Sequence, residues 1–387
     1  MSNKISGNTK KNLLKKIKAA PVLSIIFLNL RENHLLEIIK YNKNLQKKDN
    51  KNLKDFKRIY FEIEIHLSFS KNIFGKFINT KENKKSIFHI YSNDSMKEIK
   101  TNKITKEDKI EKVKIIISGE INSLSNLFKK CKCIKGINFI KMNRKSIKDI
   151  SGIFDGCASL EEININKLKT DNVENMGNMF RDCIRLNKIN LDNLKTGKVE
   201  NMAYMFCNCS SLKEINLSNF HNDNLTNICG MFMGCKSLKK IDLSNFYAKN
   251  VLDMKSLFHG CSSLKKIDLS YFDTRQVKEM EYMFAGCRSL KKINLDNFIT
   301  VKTISMNGMF SGCSLIEELN LSSFNTGKVK SMSHMFYNCR SLRNLNLKNF
   351  NSYKLVNLDK MFFGCISLQN IICFDNIIRN KFDNKNL

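Results

Sequence analysis

Proline occurs once in 387 residues and tryptophan not at all. So little proline excludes collagen-like, proline-rich-linker and mucin-like chains. No stretch approaches 18 uninterrupted apolar residues, which excludes a transmembrane helix. Acidic side chains are few beside basic ones, 36 Asp plus Glu against 66 Lys plus Arg, so the formal net charge is +30. The signatures of catalysis are missing too: no Ser/His/Asp arrangement, no His-Glu-x-x-His, no phosphate-cradling glycine loop. The six histidines (34, 66, 89, 221, 259, 334) share no repeated position. Neither an enzyme nor a cofactor is expected. The apolar fraction of 42% is still too high for a disordered chain.

What is present is a period. Ten of the fourteen cysteines stand 26 residues apart: Cys131, Cys157, Cys183, Cys209, Cys235, Cys261, Cys287, Cys313, Cys339 and Cys365. Three residues before each is a phenylalanine, including Phe180, Phe206, Phe232, Phe258 and Phe284. Leu or Ile follows three and six residues later, Leu mostly after eight, and Phe usually after eleven. A fixed period of this length marks a solenoid or array.

Each period reads as two elements. Leu264-x-x-Ile267-x-Leu269 alternates as a short half-buried strand does. Val251, Met254, Leu257 and Phe258 recur at three- and four-residue steps, the apolar stripe of a short helix or 3-10 turn. Gly or Asn usually stands just before the cysteine, as at Gly234, Gly260 and Asn208, where a left-handed residue stops a helix. Thr170, Thr196, Thr274, Thr326 and Ser352 are placed to cap the helix start. One such unit buries too little to fold alone, so the units stack, strands pairing in parallel and each apolar column meeting its copy.

The run Phe-x-x-Cys-x-x-Leu-x-x-Ile-x-Leu, preceded by Asn-Met-x-x-Met-Phe at Asn175–Phe180 and Asn201–Phe206, resembles the BspA-like leucine-rich repeats. More closely, it is similar to the 26-residue surface-protein repeat of that group. The resemblance implies an α/β solenoid, a leucine-rich-repeat horseshoe of about ten strand–helix repeats. It also implies a non-enzymatic protein-binding role, brings no catalytic residues, and points to a cell-surface or secreted setting as an alternative to the cytoplasm. One repeat departs from the pattern: Thr303 takes the Val position between Val301 and Ile304, and a local shift is expected there.

Four regions follow. Residues 1–58 form a basic, mainly helical N-terminal region; 59–109 contain strands and cap the solenoid entrance; 110–374 are the solenoid; 375–387 are a polar tail. Residues 1–120 hold 27 Lys plus Arg and 13 Asp plus Glu, so the excess charge is spread along the chain. Ile59–Phe69 and Ser86–Tyr91 are strand candidates, and Ile110-x-x-Val113-x-Ile115 is expected to begin the parallel sheet. Three readings stand for the segment near Ala19–Leu30. A signal-like stretch lacks a small-residue cleavage site. Pro21, Leu23, Ile26-Phe27, Leu30, Leu35-Leu36 and Ile39 resemble an F-box, which implies a substrate adaptor of a ubiquitin ligase. A pair of amphipathic helices packed on the solenoid is the plain structural reading.

The cysteine column (Cys183, Cys209, Cys235, Cys261, Cys287) is read as a buried thiol ladder paired with the phenylalanine column. Parallel thiols, one per coil, neither converge on a metal nor aim well for disulfides. Outward strand positions carry more information. Lys240, Lys266 and Lys292 stack, with Asp242, Asp268 and Asn294 two residues on, and with Lys239, Lys265 and Lys291 before them. That patch is the expected site for an acidic protein segment. Its amide column either satisfies itself or forms part of the surface. Nucleic acid is the second class the charge raises; against it, the face lacks stacking aromatics and arginines.

Overall fold

The computed structural model of the chain describes residues 61–80, 86–95 and 97–384. Contacts divide the chain into two compact units, Met1–Glu62 and Ile63–Leu387. The three readings of the segment near Ala19–Leu30, and the helical region expected within 1–58, lie outside the described residues.

The second unit opens with an antiparallel sheet. β1 (Ile63–Phe69), β2 (Gly75–Lys76), β3 (Phe88–Ser92), β4 (Glu98–Ile99), β5 (Lys103–Ile104), β6 (Lys112–Ile117), β7 (Ile134–Met142) and β8 (Glu162–Asn164) follow in order. All but β2 and β5 join one six-stranded sheet, β4-β3-β6-β1-β7-β8. β1 lies between β6 and β7, antiparallel to both, and β7 pairs in parallel with β8. Residues 112–117 therefore do not begin the parallel sheet; its first pair is β7 with β8. Asn79 closes the first coil: its N–H donates to Leu127 O at 2.8 Å and its Nδ2 to Lys129 O at 2.8 Å.

From there the chain winds in 26-residue coils. Ten positions from Ser123 to Asn357 are joined coil to coil by nine parallel bridges. The expected helix half is absent: residues 121–373 contain no α-helix. Between Met254 and Cys261 the N–H groups of Leu257, His259 and Cys261 close tight turns onto Met254 O, Ser256 O and Phe258 O. The alternating N–H groups of Ser256, Phe258 and Gly260 reach Glu281 O, Met283 O and Ala285 O in the next coil. Half of the amides are thus spent sideways, and left-handed Ser256 (φ 55°) and Gly260 (φ 73°) interrupt any right-handed helix. The three-residue step of these turns reproduces the apolar spacing of a helix, which is why the stripe misleads.

The threonines are not caps either. Thr196, Thr274, Thr300 and Thr326 are buried. Each hydroxyl exchanges two hydrogen bonds with the backbone one coil on, as Thr300 Oγ1 does with Asn325 O (2.9 Å) and Asn325 N (2.8 Å). No shift occurs at Thr303. Its N–H bonds Thr300 O at 3.0 Å, as Val277 bonds Thr274 O, and its hydroxyl finds Val277 O at 3.2 Å.

The strand side is a short and intermittent parallel ladder: β9 (Glu214–Asn216) with β10 (Lys240–Asp242), then β11 (Glu318–Asn320), β12 (Asn344–Asn346) and β13 (Asn370–Ile372). Inside, the phenylalanines from Phe128 to Phe362 form one stack, centroids 5.4–6.0 Å apart and planes within 22°. At the end, the expected polar tail begins with a helix, α1 (Asn376–Asp383). Ile378 is fully buried and Phe382 meets Phe362 edge-on at 6.1 Å. Asp375 anchors it, accepting from Ser352 N and Oγ and from Ile377 and Ile378 N at 2.7–3.0 Å. Burial pushes its carboxyl up, but the bonds from Ile378 and Ser352 outweigh that and hold it below the usual range.

Candidate protein-binding face

Because successive strand residues alternate sides, each coil offers the sheet face two outward positions, five and seven residues after its column cysteine. Lys240, Lys266 and Lys292 occupy the first and are exposed. Lys239, Lys265 and Lys291, directly before them, are exposed as well, and Lys213 continues that column one coil earlier. Reading only Lys-Lys pairs overlooks Lys213; the period, 26 residues back from Lys239, finds it.

Other coils neutralise such neighbours. In the column of Lys239, Glu161 lies between Arg185 (3.3 Å) and Lys135 (3.8 Å), and elsewhere on the coils Lys148 pairs with Glu174 and Lys129 with Asp155, both at 2.9 Å. Among the described residues none of the seven lysines of the tract makes an ion pair. Opposite charges adjoin at its two ends: Lys240 pairs in register with Glu214, and Glu317 and Glu318 stand one period after Lys291 and Lys292. Past β10 the strand ladder lapses until Glu318, over the stretch where like charges stack. The ladder also lapses at 188–190, where no charge argument applies.

Asp242, Asp268 and Asn294 do share this face, yet each turns one oxygen back to its own chain. Asp242 Oδ1 accepts from Ser244 N at 3.0 Å, Asp268 Oδ1 from Ser270 N at 2.9 Å, and Asn294 Oδ1 from Asp296 N at 2.9 Å. The bond from Ser270 keeps the Asp268 carboxyl below the usual carboxylate range. Asn164, Asn190, Asn216, Asn320 and Asn346 make the same two-residue loop. The column is there for turn geometry, Asx turns that end each strand. Among the described residues these amides do not bond one another from coil to coil.

All fourteen cysteines are free and buried. The Sγ atoms of Cys183, Cys209, Cys235, Cys261 and Cys287 donate to Phe154, Phe180, Phe206, Phe232 and Phe258 O at 3.1–3.2 Å. Burial pushes the Cys287 thiol up to about 12 and Cys183, Cys209 and Cys261 well above the ordinary value. Off the column, burial raises Cys207 to about 11. Such thiols are poor nucleophiles. Among the described residues no three His, Cys, Asp or Glu side chains gather as a metal group, and no helix is long and apolar enough to cross a membrane.

A stack of 26-residue coils with a short parallel ladder on one side defines a repeat solenoid of leucine-rich-repeat type. The chain belongs to the family described as "Mycoplasma protein of unknown function, DUF285", which matches residues 122–246, 208–318 and 252–373. That membership accords with the BspA-like character of the repeats. Among solved structures the chain is similar to the T. pallidum leucine rich repeat protein (TpLRR), at 18% identity and a TM-score of 0.24, over 49% of this chain and 77% of that one. A leucine-rich repeat protein from Eubacterium ventriosum ATCC 27560 aligns at 16% identity and 0.24, over 59% and 71%. The TLR13-ssRNA13 complex aligns at 14% identity and 0.21, over 59% and 44%. Global superposition at these scores is poor. No curated protein sequence matches.

Proposed function

We propose that the chain is a non-enzymatic protein-binding module that takes an acidic protein segment along the lysine tract of its sheet face. The observation that carries this is seven exposed lysines without ion pairs on four successive coils, Lys213 to Lys292. Like charges side by side destabilise a sheet, and a partner's carboxylates remove that cost. The lack of stacking aromatics in the tract favours carboxylates over nucleic acid. The free thiols suit a reducing compartment, the cytoplasm.

The test is fluorescence anisotropy with a labelled octaglutamate peptide. Replacing Lys240, Lys266 and Lys292 by Glu should weaken binding by about tenfold or more and flatten its salt dependence while circular dichroism stays unchanged. Equal binding by the triple variant places the docking face elsewhere. If oligouridylate binds the native chain more tightly than the peptide, and the same variant loses it, the ligand class is nucleic acid.

A further inference from the structure

A second polar site lies where the antiparallel cap meets the first coils. The pairings of β1 with β6 and β7, and of β7 with β8, set outward residues in two parallel rows across four strands. One row is Lys114, His66, Asn138 and Asn164; the other is Lys112, Ser68, Gly136 and Glu162. These residues line a depression of about 440 Å³, joined at one side by Asn93 and Asp94. Gly136 creates its floor: a Cβ there would sit 2.4 Å from Ser68 Oγ. Any larger residue fills the space from below.

The lining is polarised. Lys112 and Lys114 stand at the β6 end, with Lys114 Nζ 4.9 Å from the Tyr91 ring centroid; Asp94 on the same side leaves one net positive charge. Glu162 stands alone at the β8 end. Between them are the Ser68 hydroxyl, the Asn138 amide and His66, whose Nε2 is 2.7 Å from Glu64 Oε1. Asn93 is committed to its own loop, bonding Lys109 O and the N–H groups of Glu111 and Lys112. Among the described residues the side chains of Ser68, Lys112, Asn138 and Glu162 have no hydrogen-bond partner. Cations at one end, a carboxylate at the other and free hydrogen-bonding groups between them are complementary to a zwitterion.

We propose that this depression binds a short free peptide, its α-carboxylate on Lys112 and Lys114 and its α-ammonium on Glu162. The span supports that size. Three strand steps separate Lys112 from Glu162, about 14 Å between backbones, and both residues line the depression. Three extended residues at about 3.3–3.6 Å each span roughly 10 Å, which fits within that separation and leaves the long lysine and glutamate side chains to reach the two ends. Ser68 and Asn138 then face the peptide's own amides. The site is separate from the lysine tract, and neither reading depends on the other.

Isothermal titration of the full chain with triglycine, and with its N-acetylated, C-amidated counterpart, tests the proposal. Triglycine should bind, and the capped peptide should bind at least about tenfold more weakly, because both end charges are gone. Lys112→Glu with Lys114→Glu, and separately Glu162→Gln, should each cost a similar factor with the circular dichroism unchanged. Gly136→Ala should abolish binding without altering any charge. The Lys240, Lys266 and Lys292 triple variant should bind triglycine as the native chain does. No binding up to about 10 mM, or equal binding of capped and free peptide, overturns the proposal.

Discussion

The thiol of Cys261 donates to the carbonyl oxygen of Phe232, one coil earlier, at 3.1 Å, and the same oxygen accepts the N–H of Cys235 at 3.1 Å. Both lone pairs of that carbonyl are used, one within the coil and one between coils. The relationship repeats down the column, from Cys157 on Phe128 O to Cys365 on Phe336 O. Cysteine is thus a small apolar filler that also carries a donor, which alanine and valine lack.

Substitution at Cys261 separates those two roles. Serine keeps a donor, so Cys261→Ser should cost about 1 kcal/mol, the lower end of what an extra hydroxyl costs in a core. Cys261→Ala loses the donor and leaves a small cavity, for about 2 kcal/mol. Urea unfolding of both variants checks the order. Serine proving worse than alanine would show the thiol acts as apolar volume alone.

The raised thiols set an alkaline limit. A group whose folded pKa lies above its unfolded value stabilises the fold below the unfolded pKa and loses that contribution as pH rises through the folded one. For Cys287 the window runs from the unfolded value of 9.0 to about 12. Each such thiol contributes about 1.4 kcal/mol per pH unit within its window. The denaturant midpoint should hold near pH 8 and fall steeply from pH 9. A variant with Cys261 and Cys287 replaced by Ser should fall less steeply over the same range; identical slopes would mean that other groups set the limit.

Much of this was legible in the residues because a repeat writes each contact many times over. The Phe180-to-Phe284 and Cys183-to-Cys287 columns, and the stacking of Lys240, Lys266 and Lys292, follow from the period alone. The turn tract was misread because the spacing of Met254, Leu257 and Phe258 fits tandem turns as well as a helix. What decides between them is where the N–H of Phe258 goes, and it goes to Met283 O in another coil. The insertion of β1 between β6 and β7 is likewise nonlocal: nothing near Ile63 states that its partners lie at Ile117 and Met142. The α1 cap lay hidden in a segment whose polarity outweighs the single buried Ile378.

Gly230 is a point where the packing admits no side chain. Its φ is +57°, and a Cβ would sit 2.4 Å from the Tyr204 ring of the preceding coil. Gly230→Ala should therefore cost about 1–3 kcal/mol, whereas Gly197→Ala, with nothing within 4 Å, should be close to neutral. Adding Tyr204→Ala should recover the steric part of the Gly230→Ala cost but not the left-handed part. Thermal melts of the single and double variants check this, and full recovery would show that backbone strain there is negligible.

Whole-coil and half-coil deletions test the stacking itself. Removing residues 236–261 brings Phe232 one coil from Phe284 and Cys235 one coil from Cys287. Each side chain then meets its own column, and the bridge ladder through Asn227 rejoins at Glu279. A shorter, folded protein with some loss of stability is expected, since coil interfaces contribute nearly additively. Removing 236–248 instead sets the turn tract that begins at Met254 against the strand side of the coil before it. Left-handed residues then face strand residues, and the sideways N–H groups of Ser256 and Phe258 lose the register of their carbonyls. That variant should aggregate or lose its circular dichroism, because buried amides without partners cost several kcal/mol across a single coil. Gel filtration and circular dichroism of the two variants decide the matter: equal behaviour would mean that the coils are not held by column-to-column register.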